Sequence, residues 1–253
     1  MATSSMIYGY HTVRQRLKTQ PQSIQKIYCL HSSKENTRLK PLLQQARQQG
    51  TVVELLDKKA WQRTIESETT HDIAAEVTQS LVIHTQQDIP NLLEQCHQPP
   101  LILLLDTLQD PHNVGACIRS AEGAGVDMVI FPKDKSAPIS STVQKVSSGA
   151  TETMTLVAVS NLVATMKILQ QSGIWITGLA GEADQDLYAC DLTDPCALVV
   201  GAEGSGLRKQ TRQQCDFLAY LPMAGAVSSL NVSVATGVSL YEALRQRQVA
   251  KKA

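Results

Sequence analysis

The stretch LILLLDTLQDPHNVGACIRSAEGAGVDMVIFP, residues 101–132, decides the fold class. Its first six residues are a continuous apolar run that ends in an acid, which is typical of a buried parallel strand. A loop is predicted over 107–115, a helix over 116–125 and a second strand over 127–132. A strand, a crossover helix and another strand form the repeating unit of a parallel sheet. The stretch therefore predicts an α/β domain.

The same alternation continues toward the C-terminus. Helices are predicted at 161–173 and 207–215, strands at 174–180, 197–201 and 216–222, and a last helix opens near Asn231. The pattern predicts a mostly parallel sheet covered on both faces over 100–253. In such sheets ligands bind at the carboxyl ends of the strands, so we expect the chemistry in this domain.

The first 78 residues form a smaller α/β module. Strands are predicted at 24–30, 51–56 and 72–77, with a helix over 36–50 that closes at Gly50 and a short helix over 57–65. Residues 79–99 mix a weak strand, a short helix and a Pro-Pro stop, and we interpret them as a linker.

Composition limits the class of protein. Apolar residues make up 43% and charged residues 18% of the 253 residues, as in ordinary globular proteins. No membrane span or signal peptide is recognisable, and the six cysteines form no CxxC pair, which favours a cytoplasmic protein without a metal site. The net charge is zero, which is unusual for a nucleic-acid partner, but basic residues concentrate in 11–20, 34–40, 132–138 and 207–214.

Three loops stand at predicted strand ends. The first carries Asn113 and Gly115 and leads to Arg119, and the second, VVGAEGSGLRKQ, places glycines around Glu203. Each has an ordinary interpretation, a capped helix with an exposed arginine or a weak glycine-rich turn. The third loop runs into SSLNVSVATG, residues 228–237, where Ser228 or Ser229 could cap the last helix. Alternatively, the small residues around Asn231 allow the backbone to pass close to a ligand.

Together the three loops resemble the three signature motifs of the SpoU (TrmH-like) family of RNA ribose 2′-O-methyltransferases. The matching segments are DPHNVGACIRSAEGAG, LVVGAEGSGL and LPMAGAVSSLNVSVATGVSLYEALRQR, in the family's order. The resemblance implies a deep trefoil knot of the SPOUT type in the C-terminal domain. It also implies a ribosomal-protein-like (L30e-like) substrate-binding domain at the N-terminus, and both features are expectations from the family.

The resemblance also implies a site. S-adenosyl-L-methionine is the expected cofactor, and its expected contacts are Gly181, Gly201, Leu221, Met223 and Leu230. The expected catalytic positions are Asn113, Arg119, Glu203, Ser229 and Asn231. Arginine stays protonated in proteins, so we expect Arg119 to position the 2′-oxygen and stabilise its negative charge, with the two asparagines orienting it and the ribose. Glu203 is expected to shape its loop through backbone hydrogen bonds.

The predicted function follows from the resemblance. It is methylation of the ribose of a guanosine in the peptidyl-transferase region of 23S rRNA, and no metal is required. The alternatives are a tRNA 2′-O-methyltransferase and a non-catalytic RNA-binding or ribosome-assembly protein that retains the fold. The family also implies a homodimer through the C-terminal domain, to which Leu240 and Leu244 would contribute.

Overall fold

The computed structural model describes residues 5–34, 36–65, 71–78, 81–96 and 99–251. Contacts between residues divide the chain into two compact units. The N-terminal unit comprises 1–82 together with 148–153, and the C-terminal unit comprises 83–147 and 154–253. The sequence pattern predicted domain boundaries at 78 and 100 and did not predict that 148–153 belongs to the N-terminal unit. The predicted division into functional domains stays a prediction.

The N-terminal unit is a four-stranded sheet with helices on both faces. Its strand order is β1-β4-β2-β3, in which β2 and β3 are parallel while β4 is antiparallel to both β1 and β2. The elements are β1 (Ser5–Tyr8), α1 (Tyr10–Thr19), β2 (Ile24–Leu30), α2 (Leu39–Gln48), β3 (Val52–Leu56), α3 (Lys58–Thr64) and β4 (Ile73–Val77). The three predicted strands are confirmed, whereas α2 begins three residues later than predicted.

Alternation along β2 explains the two apolar layers of this unit. Ile27 and Cys29 pack with α1 and α2 in one cluster, and Tyr28 packs with Trp61 of α3 in another. The segment 148–153 contributes Glu152, whose carboxylate accepts a hydrogen bond from Arg16 Nε at 2.5 Å. Both side chains are buried, and burial raises the pKa of Glu152 although Arg16 opposes the shift.

The C-terminal unit is built on an eight-stranded sheet of order β10-β12-β9-β11-β6-β7-β8-β5. Every adjacent pair in it is parallel, as the alternating pattern predicted. Its strands are β5 (Ile83–Thr85), β6 (Leu101–Asp106), β7 (Met128–Pro132), β8 (Thr155–Val159), β9 (Trp175–Leu179), β10 (Gln185–Asp186), β11 (Cys196–Gly201) and β12 (Phe217–Tyr220). Its helices are α4 (Ile89–Glu94), α5 (Pro111–Gly123), α6 (Ser141–Val146), α7 (Leu162–Gln171), α8 (Lys209–Gln214) and α9 (Val232–Ala250).

The central strands are buried on both faces. Ile102 and Leu104 of β6 pack in one cluster with residues of α4 and α7, so the alternating Leu103 and Leu105 face the opposite side. Contacts of α9 with β11 and with α5 cover that side. The continuous apolar run that identified β6 therefore has partners along its whole length.

Three expectations need correction. Helix α5 begins at Pro111, because the Asp110 side chain accepts from His112 N and the proline stands at the first helical position, so Asn113 lies in the helix and not in a loop. Strand β8 and helix α6 were not predicted. Leu240 is completely buried inside the protomer, so it cannot contribute to a dimer contact, while Leu244 is half-buried.

Helices long and apolar enough to cross a membrane are absent from the part of the chain that the structure describes. The strand order in the C-terminal unit is compatible with an α/β fold of the expected kind. The trefoil knot that the resemblance implies stays a prediction.

Candidate active site

The three motif loops leave the sheet at one edge. Asp106 at the end of β6 is paired with Gly201 at the end of β11, so the first and second loops begin side by side. The third loop follows β12 and leads into α9, which packs against α5. The carboxyl ends of parallel strands meet at a common edge, and this edge is where all three loops lie.

A chain of side-chain hydrogen bonds joins one residue from each of the three motifs. Asn231 Nδ2 donates to Asn113 Oδ1 at 3.0 Å, and Asn113 Nδ2 donates to Glu203 Oε2 at 3.3 Å. Asn113 is only 8% exposed, so its amide is held at both ends in a largely buried position. Glu203 was expected to contact the backbone of its own loop, but the hydrogen bond found for its carboxylate comes from Asn113.

Asn231 is both a helix cap and a member of this chain. Its Oδ1 accepts from Ser233 N at 3.0 Å and from Ser233 Oγ at 2.6 Å, so Asn231 caps α9. The expectation that Ser228 or Ser229 is the cap was wrong. An asparagine amide has an acceptor and a donor, which lets one side chain cap the helix and still donate to Asn113. Asn231 therefore caps α9 and also belongs to the chain of hydrogen bonds, and the close approach of this backbone to a ligand stays a prediction.

A pocket of about 290 Å³ opens beside the three loops. Its volume lies near the lower end of the range for small-molecule sites, and four glycines are among the residues that line it. All five residues predicted as cofactor contacts line the pocket: Gly181, Gly201, Leu221, Met223 and Leu230. Glu203 and Ser229 line it as well. The structure thus brings these residues together, and their role as cofactor contacts stays a prediction.

The second loop is a tight hairpin that requires glycine. Ala202 N donates to Gly206 O at 3.1 Å and Gly206 N donates to Ala202 O at 2.8 Å. A Cβ on Gly201 would lie 2.1 Å from the carbonyl carbon of Gly206, and Gly206 itself has a φ of +64°. No other residue fits at Gly201 without opening the hairpin, so this wall of the pocket is backbone that a ligand can approach closely.

A second pocket of about 340 Å³ adjoins the first. Ala202, Glu203, Ser205 and Val232 line both pockets, and Asn113 lines the second one. The second pocket is otherwise formed by residues 107–110 of the first loop. Two adjoining pockets that share Glu203 are suited to two reactants that meet between them.

Arg119 is placed differently from the other predicted catalytic residues. It is an exposed residue of α5, and the residues that line the two pockets do not include it. Six positions separate it from Asn113, and on an α-helix this spacing puts the two side chains on different faces. The predicted site of this protomer is therefore assembled from four of its five catalytic positions.

Sequence reasoning missed an ion pair that fixes the hairpin. Asp106 is fully buried, and its carboxylate accepts from Arg208 N at 2.9 Å and from Arg208 Nε at 2.6 Å. The bond ties the end of β6 to the residue that follows the hairpin. The signal was present as the acid that ends the apolar run at 101–106, but the run was interpreted only as a strand. A second ion pair, between Glu182 and Arg212, lies at the rim of the first pocket.

Comparisons with known proteins identify the family. The SpoU rRNA Methylase family matches residues 100–241, which is more than half of the 253 residues. The chain belongs to the SpoU rRNA methylase family. A second family, described as RNA 2′-O ribose methyltransferase substrate binding, matches residues 6–81.

Two relatives that match this SpoU family chain over nearly its whole length carry one name. The chain is 47% identical over 249 residues to the 23S rRNA (guanosine-2′-O-)-methyltransferase RlmB of Pseudomonas putida, covering 98% of this chain and 99% of that protein. It is 46% identical over 244 residues to the protein of that name from Escherichia coli K12, covering 96% and 99%. The fold matches the SpoU methyltransferase AviRb of Streptomyces viridochromogenes, solved with its cofactor AdoMet, with a TM-score of 0.76, 23% identity and coverage of 97% and 91%.

The titratable groups of the SpoU domain bear on its chemistry. Groups of three or more His, Cys, Asp or Glu side chains that could hold a metal ion are absent among the described residues. Cys117 lies in α5 with Asn113, and burial raises the pKa of its thiol to about 11. Its Sγ donates to Thr236 Oγ1 of α9 at 3.4 Å, so this cysteine is a protonated packing residue and not a nucleophile.

Proposed function

We propose that this protein transfers a methyl group from S-adenosyl-L-methionine to the ribose 2′-hydroxyl of a guanosine in the peptidyl-transferase region of 23S rRNA. The observation that carries the proposal is the hydrogen-bonded chain of Asn231, Asn113 and Glu203, which joins one residue from each of the three motifs beside two adjoining pockets. Relatives of the same length at 46–47% identity that bear the name of this activity support the substrate.

The first pocket suits the cofactor. The backbone at Gly181 and Gly201 and the apolar residues Leu221, Met223 and Leu230 line this pocket and would hold the cofactor. When bound, the cofactor supplies an electrophilic methyl group on a sulfonium. The chain needs no metal for this chemistry, since the required contributions are alignment and charge stabilisation.

The polar chain would hold the ribose for attack. Asn113 lines the second pocket, and its amide is fixed by Asn231 on one side and by Glu203 on the other, so the geometry is set before the RNA arrives. Ser229 lines the first pocket and would support the third loop there. Arg119 would position the 2′-oxygen and the adjacent phosphate and stabilise negative charge as the hydroxyl proton departs.

Pairing of two chains would complete the site. We propose a homodimer through the C-terminal units. Arg119 does not line either pocket of its own protomer, and in the dimer it would reach a catalytic pocket. The exposed residues Val234 and Tyr241 of α9 replace Leu240 as candidates for the apolar contact. A sedimentation mass near that of one 27.5 kDa chain at micromolar concentration would contradict the dimer.

The N-terminal unit would select the RNA. The substrate-binding family matches 6–81, close to the predicted limits of 1–78, and α1 presents His11, Arg14 and Lys18 on its exposed face. The six cysteines are all unpaired, which agrees with a location in the reducing cytoplasm, where ribosomal RNA is made in bacteria.

The test joins binding, activity and site mapping. Calorimetry with S-adenosylhomocysteine and a chelator should show binding, and labelled methyl should pass from the cofactor to 23S rRNA. Mapping of ribose methylation in rRNA from cells with and without the gene should show the loss of one modified guanosine. Transfer to tRNA instead would replace the substrate, and binding of RNA without any transfer would favour the assembly protein.

Arg119→Ala tests the role proposed for Arg119 in methyl transfer. Methyl transfer should fall by at least about 100-fold, the typical effect of losing one group that stabilises an oxyanion. Affinity for S-adenosylhomocysteine should stay close to that of the unaltered protein, because Arg119 does not line the cofactor pocket. Full activity of Arg119→Ala would refute the role given to this residue.

A further inference from the structure

Two residues with a strained backbone lie in loops that follow neighbouring strands of the C-terminal sheet. Among the described residues, three that are not glycine have a positive φ: Thr107 at 61°, Lys135 at 63° and Ser148 at 53°. Thr107 follows β6 and lines the second pocket, and Lys135 lies in the loop that follows β7. Strained conformations of this kind persist where the surrounding structure holds them, and they cluster at functional sites.

The two strained loops form one layer. Ala137 N donates to Leu108 O at 2.8 Å, which ties the loop after β7 to the loop after β6. Ala137 and Leu108 are both buried, and Lys133 N donates to Val159 O at 2.9 Å at the start of the second of these loops. The loop at 133–140 is therefore anchored at Lys133 and at Ala137 and fixed next to residues 107–110 of the second pocket.

The loop of this layer that follows β7 carries two lysines. Lys133 and Lys135 are exposed, and they are the basic residues of the loops 107–110 and 133–140. Glycine or asparagine would adopt the backbone of Lys135 at lower cost, so a lysine there violates the local preference. Violations of that kind are expected where the side chain has a function.

The chemistry of the second pocket indicates what these lysines meet. A ribose that reacts at its 2′-oxygen carries a phosphate on either side along the RNA backbone, so a phosphate must lie at the rim when the ribose enters. The two loops carry two acids, Asp110 and Asp134, and two lysines, and the ammonium groups of the lysines are the groups in these loops that attract a phosphate. Contacts of this kind between lysine and phosphate position a nucleic acid without reading its sequence.

We infer that Lys133 and Lys135, presented by the strained layer of loops 107–110 and 133–140, bind the backbone phosphates that flank the target ribose. This inference rests on the proposed function and adds to it a phosphate-binding rim outside the three signature motifs. The N-terminal unit would choose the RNA, and the rim would seat the reacting nucleotide over the pocket that Asn113 and Glu203 line.

Lys135→Gly is the sharpest test, because a phosphate-binding role and a structural role predict opposite changes. Glycine relieves the positive φ, so the thermal midpoint should stay the same or rise. Affinity for a 23S rRNA fragment should nevertheless fall several-fold. The slope of log affinity against log salt should lose about one unit in magnitude for one lost phosphate contact. Lys135→Arg should keep the affinity, because it keeps the charge.

Lys133→Gln should give the same loss of RNA affinity and salt slope. Lys167→Gln is the control, since Lys167 is an exposed lysine on α7, away from these loops. All variants should bind S-adenosylhomocysteine as the unaltered protein does, because neither lysine lines the cofactor pocket.

The outcomes separate the two proposals. If the unaltered protein methylates 23S rRNA and both lysine variants keep its RNA affinity and salt slope, the phosphate rim is refuted and the proposed function stands. If the unaltered protein binds neither S-adenosylhomocysteine nor rRNA, the proposed function is refuted and the rim with it. A loss of affinity in Lys167→Gln equal to that in Lys135→Gly would also overturn the rim, because the effect would then be one of net charge.

Discussion

The two ends of the C-terminal sheet use polar side chains in different ways. At the amino end, Arg247 of α9 donates to four backbone carbonyls: those of Pro99, Pro100, Leu192 and Asp194. At the carboxyl end, the Asn113 side chain accepts a hydrogen bond from Asn231 and donates one to Glu203. The first arrangement joins one side chain to the backbone, and the second joins side chains from three separate motifs.

The two arrangements indicate that the amino end of the sheet serves the stability of the fold and the carboxyl end serves activity. A backbone carbonyl is an acceptor wherever the chain passes, so Arg247 fixes the segments that enter β6 and β11 and satisfies groups that would otherwise lack partners. Side chains that hold one another keep a fixed geometry with polar atoms directed at a pocket, which is what a reaction requires. The strained residues Thr107 and Lys135 also lie at the carboxyl end. We therefore expect changes at the two ends to affect different measurements.

Asn231→Asp should have the largest effect on activity and would sharpen the comparison most. Aspartate caps a helix as well as asparagine does, so stability should change by less than about 0.5 kcal/mol. It cannot donate to Asn113, and methyl transfer should fall by about 100-fold or more. Thermal unfolding and a methyl-transfer assay give the two numbers.

Asn161→Asp is the matched control for that variant. Asn161 caps α7 by accepting from Ala164 N at 3.1 Å, and it lines neither pocket. It should leave both stability and activity nearly unchanged. Equal activity of Asn231→Asp and the unaltered protein would show that the hydrogen-bonded chain is structural and would remove the contrast between the two ends.

Asp106→Asn should have an intermediate effect, since Asp106 fixes the hairpin without lining a pocket. In asparagine one of the two oxygens that accept from Arg208 is replaced by an NH2 group, which is a donor, and the negative charge is lost. We expect a loss of about 2 kcal/mol in the free energy of unfolding, at the low end of the range because Arg208 is 43% exposed. Affinity for S-adenosylhomocysteine, measured by calorimetry, should fall by roughly tenfold, about 1.4 kcal/mol, as Gly201 and Glu203 lose their fixed position.

The control for Asp106 lies in the same loop. Asp110→Asn keeps the cap of α5, which Asp110 forms by accepting from His112 N at 2.9 Å, so stability and cofactor affinity should both be retained. A loss of stability in Asp106→Asn with unaltered cofactor affinity would assign the ion pair to the fold alone.

Arg247→Lys should have the smallest effect on activity and a clear effect on stability. Lysine lacks the planar fork that reaches several carbonyls, and we expect a loss of about 2 kcal/mol in the free energy of unfolding. Methyl transfer per folded molecule should be unchanged. Arg245→Lys, which alters an ion pair with Glu242 in which the arginine is 61% exposed, should cost well under 1 kcal/mol. A selective loss of activity in Arg247→Lys would break the comparison.

Local patterns were sufficient for most elements of the sheet. The apolar runs at 24–30 and 101–106 form strands with the predicted limits. A strand that is buried on both faces has apolar side chains at consecutive positions, so the run itself marks the strand. Strand β8 was missed although its residues are apolar and β-branched. It lies between short segments without clear turn signals, and the neighbours that bury it, β7 and β5, come from other parts of the chain.

The sequence by itself determined the alternation of strands and helices, the presence of three loops at strand ends and, through motif resemblance, the family and its site residues. These properties depend on the periodicity of neighbouring residues and on short motifs, which are local. The tertiary structure decided that Asn231 caps α9 while donating to Asn113, and that Asp106 holds Arg208. It also decided that Leu240 is internal and that Arg119 stands apart from both pockets. Asn113 and Asn231 are 118 positions apart and Asp106 and Arg208 are 102 apart, so these contacts depend on which strands become neighbours, which no local pattern encodes.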